Sequence, residues 1–462
     1  SFSPAGRLVG FYHEIEESRE GEVLAQPQAR TIAERFLTES QSLLLTDYDL
    51  IEGETVAREN RADHTFTWER SGFRAQEATA RVVVEIQGDR IGRYAEFLKV
   101  PEAWRRDYAH LRSRNMLMQE ITQSAFIAIV LAMLVVFVRD LGSKHLTYRF
   151  GAQCGVALAL TSVALTLNTL PLTFIQYDTT QSLGSFYGVL IFSALIGACG
   201  WMLYITLAGS VSVSVYRTML PDKPAPEWLV SGPTLRSKEY LMSCVVGYMI
   251  PLIMLGYVTA FYVVGNEFGV WSPAAIDYTD LASTSFPWLY PLSIGLMASI
   301  SEEFIFRMFA IPFLKRYLKS TFLAVLIPAV IWGFLHSSYP QQPFFIRGVE
   351  LSIVGVMFGY VFIRYGIVSV LIAHYAFDAL LMSLFLFQSS RLYFQVAGAL
   401  VVGIMVIPMI PSLIALVRRR LIDDPSQSNA AVMQRLEEMT AATPEDVVVT
   451  PAPASPVTAA PL

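Results

Sequence analysis

Nine apolar runs of membrane length dominate this 462-residue chain. A helix that crosses a bilayer needs about 20 mostly apolar residues. The runs lie at 121–138, 151–173, 184–215, 241–265, 286–314, 321–338, 345–363, 367–387 and 394–417. Hydrophobic residues make up 53% of the chain, which fits a multi-pass membrane protein that also carries a soluble part. We therefore predict a mainly α fold, a polytopic helical membrane bundle of about nine spans with an N-terminal soluble α+β domain.

Residues 1–118 differ from the rest, because charges are frequent and no apolar run there reaches membrane length. Helical spacing at 27–41 precedes four strand-like runs. These runs lie at 48–57, 64–70, 78–86 and 90–100. The pattern predicts an extracytoplasmic domain with one helix on an antiparallel sheet, similar to small PepSY and cystatin-like domains. Residues 101–120 predict a helix that leads to the bilayer.

The remaining sequence divides into three parts. Residues 119–240 should hold the first three membrane helices and a cytoplasmic loop, and residues 241–418 a membrane core. The tail at 419–462 is rich in Ala, Pro, Thr and Ser, so it should be disordered except for a short helix near 430–439.

Basic residues alternate between the loops and predict the orientation of the chain. Loops 139–149, 216–240 and 315–320 carry Lys or Arg, whereas loops 174–183 and 266–285 carry none. Basic loops face the cytoplasm. The N-terminal domain should therefore lie outside a bacterial plasma membrane and the C-terminal tail inside. An outside domain needs an export signal, so we expect a segment before Ser1 to have been removed.

Charge and cysteine usage exclude two classes of function. The formal net charge is −5 and no long basic run occurs, so nucleic-acid binding has no support. Cys154, Cys199 and Cys244 all fall in apolar runs without CxxC spacing. A disulfide framework or a thiolate zinc site is therefore not expected.

A polar cluster interrupts three of the apolar runs. Charges at that depth cost several kcal/mol unless they are paired or used. At 1.5 Å per residue, the polar groups lie roughly 10 to 22 Å from the cytoplasmic ends of their runs. The cluster comprises Glu302, Glu303 and Arg307 in the first run, His336 in the second, and His374 with Asp378 in the third. Similar depth on three helices indicates one shared site.

Helical spacing separates the two glutamates. Glu303 and Arg307 are four residues apart and can form an ion pair on one face. Glu302 points about 100° away and is free to meet the histidines. A glutamate and a histidine together can deprotonate a water and then protonate a leaving amine. His374 with Asp378 could stabilise an oxyanion; alternatively, Glu302, His336 and His374 could bind a divalent metal such as zinc.

These motifs resemble those of the CPBP family, which includes type II CAAX prenyl endopeptidases and bacterial proteins linked to bacteriocin processing and self-immunity. The resemblance covers about residues 240–390. It rests on Glu302-Glu303-x-x-x-Arg307, Trp332-x-x-x-His336 and His374-x-x-x-Asp378. Trp332 stands where Phe is usual and Asp378 where Asn is common.

The resemblance implies a glutamate-type or metal-dependent intramembrane endopeptidase that acts on a membrane-anchored peptide or protein. Glu302 and His336 match the water-activating pair, and His374 with Asp378 matches the oxyanion site. Glu303, Arg307 and Trp332 match structural positions. Two alternatives remain open: a catalytically silent scaffold or bacteriocin self-immunity factor, and a transporter that uses the cluster as a proton relay.

Overall fold

The computed structural model describes residues 3, 7–143, 146–273, 279–423 and 425–441. Two parts of the sequence-based predictions lie outside these residues. They are Lys144 in the first basic loop and the tail from residue 442 onward.

The N-terminal domain is a five-stranded antiparallel sheet with one helix packed on it. Helix α1 (Gln26–Arg35) continues into a π-helical turn at Phe36–Ser40. The strands are β1 (Gly10–Tyr12), β2 (Tyr48–Ala57), β3 (Ala62–Arg70), β4 (Thr79–Gln87) and β5 (Arg90–Lys99). They are ordered β1-β5-β4-β3-β2. The helix and the four longer strands agree with the sequence patterns, whereas the short edge strand β1 was not predicted.

Alternating side chains build the core of this domain. Val82, Val84 and Ile86 lie on one face of β4, where successive residues point to opposite faces. They pack in one buried cluster with Ala29 and Ala33 of α1. The helix therefore covers one face of the sheet.

The rest of the described chain is helical. Seven helical stretches are long and apolar enough to cross a membrane. The helices are α2 (Glu102–Asp140), α3 (Arg149–Asn168), α4 (Leu170–Phe174), α5 (Leu183–Met219), α6 (Gly232–Leu235), α7 (Lys238–Asn266), α8 (Leu289–Glu303), α9 (Ile311–Leu318), α10 (Thr321–Phe334), α11 (Ile346–Tyr365), α12 (Ile367–Gln388), α13 (Leu392–Val406), α14 (Ile410–Val417) and α15 (Asn429–Ala441). The chain is a multi-pass membrane protein, and the count of nine spans is approximate.

The fifth and sixth predicted spans differ from simple α-helices. A π-helical segment, Phe304–Ala310, separates α8 from α9 within one helical stretch. Helix α10 has only 14 residues and ends before the predicted end of its run at 338. These two elements carry the first two polar motifs.

Glycines set the packing beside the polar cluster. Gly366 adopts φ +81° and separates α11 from α12, so the chain reverses within one residue. Gly333 of α10 faces Gly348 and Ser352 of α11 so closely that a Cβ would lie 2.6 Å from the Gly348 carbonyl oxygen. Small residues thus let α10 and α11 approach closely.

The N-terminal domain and the C-terminal tail contact opposite ends of helix α5. The Leu183 amide, at the start of α5, donates to Glu16 Oε1 of the domain at 2.7 Å. Beyond the other end of α5, the Ala225 amide donates to the Gln427 carbonyl at 2.9 Å. Helix α15 contains the predicted short helix. The described part of the tail packs against the bundle, which differs from the predicted disorder for those residues.

Candidate active site

Glu303 and Arg307 form a buried ion pair, as their spacing predicts. Arg307 Nη1 lies 3.0 Å from Glu303 Oε1, and the side chains are 2% and 0% exposed. The guanidinium carbon lies 4.4 Å from the ring centroid of Trp332 and 5.1 Å from that of Phe358. The cation is thus held by one carboxylate and two aromatic faces.

The π-helical segment begins directly after the two glutamates. Its seven residues are all buried. A π-turn breaks the regular i→i−4 ladder and is common at functional sites. The Phe304 carbonyl at its start accepts a hydrogen bond of 2.9 Å from the Ser212 hydroxyl of α5. A helix outside the polar motifs therefore supports the segment that carries Arg307.

Glu302 points away from the ion pair and toward the second and third motifs. Its Oε2 accepts a hydrogen bond from Trp332 Nε1 and lies 3.9 Å from His374 Nε2. Its Oε1 has no hydrogen-bond partner among the described residues. The indole donor is a role that a phenylalanine could not fill, and the sequence reading of Trp332 as a structural residue missed it.

His374 lies between the carboxylates. Its Nδ1 donates to Glu303 Oε1 at 2.7 Å, since an ionised carboxylate only accepts. Its Nε2 lies 3.5 Å from Asp378 Oδ2, one helical turn later on α12. Glu303 thus contacts both Arg307 and His374, whereas the sequence predicted only the first contact. The carboxylates of Glu303 and Asp378 fix the orientation of the ring.

His336 does not lie within a helix, in contrast to the sequence prediction. Helix α10 ends at Phe334, and His336 lies in the turn that follows. Its Nδ1 donates to the Trp332 carbonyl at 2.9 Å. That bond assigns the proton to Nδ1 and leaves the Nε2 lone pair available to accept one.

Glu302 and His336 line the same cavity, which has a volume of about 240 Å³. The cavity is open on one side and is bounded by α2, α5, the end of α8 with the π-helical segment, and α10 with the turn after it. Its lining residues are Gln123, Phe126, Tyr204, Ser301, Glu302, Ile305, Phe306, Trp332, Leu335 and His336. A free carboxylate oxygen and a free imidazole nitrogen therefore face one space.

A residue that sequence reasoning missed holds the loop after His336. Asn115 of α2 is fully buried, and its Nδ2 lies 3.0 to 3.4 Å from four carbonyl oxygens. These belong to Ser337, Tyr339, Gln341 and Phe344. Its Oδ1 accepts from Gln342 Nε2 at 2.6 Å. We call residues 337–344 the clamped loop.

A second ion pair lies beyond the clamped loop. Arg347 Nη1 lies 2.7 Å from Glu350 Oε2, three residues later on α11, and Glu350 also accepts from the Tyr262 hydroxyl at 2.6 Å. Arg347 stacks on Tyr339, with 5.2 Å between its guanidinium carbon and the ring centroid. This pair therefore contacts the clamped loop through Tyr339.

The metal alternative fits the geometry poorly. Within the described ranges, no group of three or more His, Cys, Asp or Glu side chains is arranged to hold a metal ion. Glu302 Oε2 is also engaged by the indole of Trp332. The described residues therefore do not support the predicted zinc site of Glu302, His336 and His374, which stays an untested prediction.

Comparison with known proteins agrees with the resemblance read from the motifs. Residues 284–380 match the model of the family described as type II CAAX prenyl endopeptidase Rce1-like. This segment contains all three polar motifs, so the family prediction is confirmed.

One curated relative is the sporulation-killing factor biosynthesis protein SkfC of Bacillus subtilis (strain 168). The two are 28% identical over 117 residues, which cover 25% of this chain and 23% of SkfC. The chain thus matches less than a quarter of the length of that relative. No solved structure gives a significant match.

Proposed function

We propose that this protein, whose residues 284–380 form an Rce1-like type II CAAX prenyl endopeptidase domain, is an intramembrane endopeptidase. It would cleave a membrane-anchored peptide or protein with a water activated by Glu302 and His336. The observation that carries the proposal is the shared cavity, which both residues line with one hydrogen-bonding atom free. An open polar cavity also supplies the water that hydrolysis within a bilayer requires.

The proposed chemistry uses the two free atoms in turn. Glu302 Oε1 or His336 Nε2 takes a proton from water as the water oxygen bonds to the substrate carbonyl carbon. The carbonyl oxygen then carries a negative charge. When the carbon–nitrogen bond breaks, the captured proton passes to the leaving amine. The products are a carboxylic acid and an amine, which exchange a proton to become a carboxylate and an ammonium group.

His374 fits the role of an oxyanion stabiliser that acts beside Glu302. Its Nε2 is 3.9 Å from Glu302 Oε2, so a carbonyl held next to Glu302 is within its reach. A proton on Nε2 could then be donated to the developing oxyanion. Asp378 would orient His374 and keep that proton in place, since an ionised aspartate cannot itself donate.

The test is cleavage of fluorescein-labelled casein, an unfolded general protease probe, by the purified protein in detergent. Glu302→Ala, His336→Ala and His374→Ala should each lower the rate by at least about a hundredfold. Their combination should lose little more, because the groups act as a unit. Asp378→Asn should be milder, since the amide oxygen can still accept from His374.

His110→Ala is the matched control, because His110 is exposed on α2 and should leave the rate unchanged. Full activity of Glu302→Ala would defeat the proposal. A wild-type protein that cleaves nothing would favour the silent scaffold or immunity factor. Proton-coupled flux in vesicles that depends on Glu302 would favour the transporter.

Chelation separates a glutamate-type from a metal-dependent reaction. If a metal takes part, 1,10-phenanthroline should abolish casein cleavage and added zinc should restore it. Cleavage that persists in the chelator is the result expected from the geometry, because the described residues offer no three-ligand set.

A further inference from the structure

Helix α2 carries a polar stripe that faces the site from outside the Rce1-like domain. Its members are Arg112, Asn115, Gln119 and Gln123, spaced three, four and four residues apart and therefore on one helical face. Arg112 and Asn115 hold carbonyls of the clamped loop. Lower on the same face, Gln123 lines the cavity with Glu302 and His336.

The two glutamines of the stripe lack protein partners. Gln119 Oε1 is buried without a hydrogen bond, and no described residue bonds to the Gln123 amide. The opposite face of α2 is apolar and exposed, with Leu117 and Ile121 61% and 59% exposed. The glutamines therefore point into the protein and not toward lipid. Gln123 thus presents to the cavity an amide that no described residue occupies, and a bound ligand would account for it.

The chemistry of the cavity indicates what the glutamines would bind. Part of its wall is apolar, with Phe126, Ile305 and Leu335 among the lining residues. A carboxamide offers one acceptor and a pair of N–H donors, which complement the C=O and N–H of a peptide bond. A regular helix has no such groups free, because its backbone bonds are internal. An extended peptide segment has them free.

We infer that Gln123, assisted by Gln119, binds the main chain of an extended substrate peptide beside Glu302 and His336. This inference rests on the proposed function and names its substrate class: a segment that is unwound, or unwinds, at the scissile bond. Gln123 is then a substrate-binding residue supplied by a helix outside residues 284–380.

The test compares Gln123→Leu and Gln119→Leu with wild type, again with labelled casein. Each loss of a hydrogen bond to the peptide should raise KM roughly two- to tenfold and leave kcat within about twofold. The melting temperature should not fall, because an unpaired amide stabilises nothing in the free protein. Ser124→Leu is the control, since Ser124 is exposed on the lipid side of the same turn.

A binding measurement separates this inference from the proposed function. In the Glu302→Gln background, fluorescence anisotropy should show labelled casein bound, with Kd raised by Gln123→Leu by the same factor. If wild type cleaves nothing, the proposed function fails, while the Kd comparison still decides the role of Gln123. An unchanged Kd and KM in Gln123→Leu, or a lowered melting temperature, would overturn the inference.

Discussion

At the scale of single residues, the site divides its charges into a buried, paired set and a set that faces the cavity. Arg307 and Glu303 are almost completely buried and neutralise each other. Glu302 has its side chain 28% exposed toward the cavity and keeps one oxygen free. Two adjacent glutamates thus have different surroundings, because one helical step turns them toward different neighbours.

This division predicts different effects on thermal stability for two substitutions. Arg307→Ala should cost roughly 3–5 kcal/mol, because it removes the guanidinium that neutralises the buried Glu303 carboxylate and leaves only the contact with His374. Glu302→Gln should leave the melting temperature nearly unchanged, since the amide keeps the volume and an oxygen that accepts from Trp332. Thermal unfolding in detergent measures both. Arg316→Ala, on the exposed surface of α9, is the control for loss of an arginine. Equal melting of the Arg307 and Glu302 variants would contradict the division.

At the scale of elements, periodic sequence patterns correctly predicted the strands and helices that depend on neighbouring residues. The strands β2 to β5 follow from alternating side chains and turn residues, and α12 places His374 and Asp378 on one face as their spacing requires. Other features depend on distant partners. Only Leu335 extends the apolar run past Phe334, and the span predicted to reach 338 included the polar residues that follow, so it ended four residues beyond α10.

The contact between Asn115 and the clamped loop could not be predicted from the sequence either. The carbonyls that Asn115 holds lie 222 to 229 residues further along the chain. A contact of that separation leaves no periodic signal near either partner. The π-helical segment belongs to the same class, because Ser212 of a distant helix satisfies its first carbonyl. The residues of the site could therefore be predicted, but not the helix that supports them.

The clamp gives a prediction for helix α2. Asn115→Ala should release the clamped loop, lower stability by about 1–3 kcal/mol through unsatisfied buried carbonyls, and reduce casein cleavage. Hydrogen exchange measured by mass spectrometry should become faster at 337–344. Arg114→Ala, one residue away on the exposed side, should change neither property. Unaltered exchange in the Asn115 variant would show that the loop holds itself.

At the scale of the whole molecule, the two ends of the bundle are distinct. The N-terminal domain and the clamped loop lie at one end, joined through α2, and the packed tail lies at the other. His336, which lines the cavity, directly precedes the clamped loop at the end that carries the domain. Since basic loops mark the tail end, we expect the domain and the clamped loop to lie on the outer side of the membrane.

Cysteine accessibility tests this orientation. In a protein without native cysteines, a probe at Gly53→Cys in β2 should react with a membrane-impermeant maleimide on intact cells. A probe at Ser426→Cys in the tail should react only after lysis. Both positions are exposed, so a difference in reactivity reports the side of the membrane and not burial within the protein. The reverse pattern would invert the topology and place the domain in the cytoplasm.

The separation of Asn115 from its partners has a consequence for biosynthesis. Ribosomes add about 5–20 residues per second, so the 222 to 229 residues in between take roughly 11 to 46 s to synthesise. Throughout that interval the polar stripe of α2 has been synthesised, whereas the carbonyls of the clamped loop have not. The loop carbonyls that α2 binds belong to the Rce1-like segment, which is synthesised later than α2. A nascent chain stalled before Ser337 should therefore expose the polar stripe of α2 to membrane chaperones.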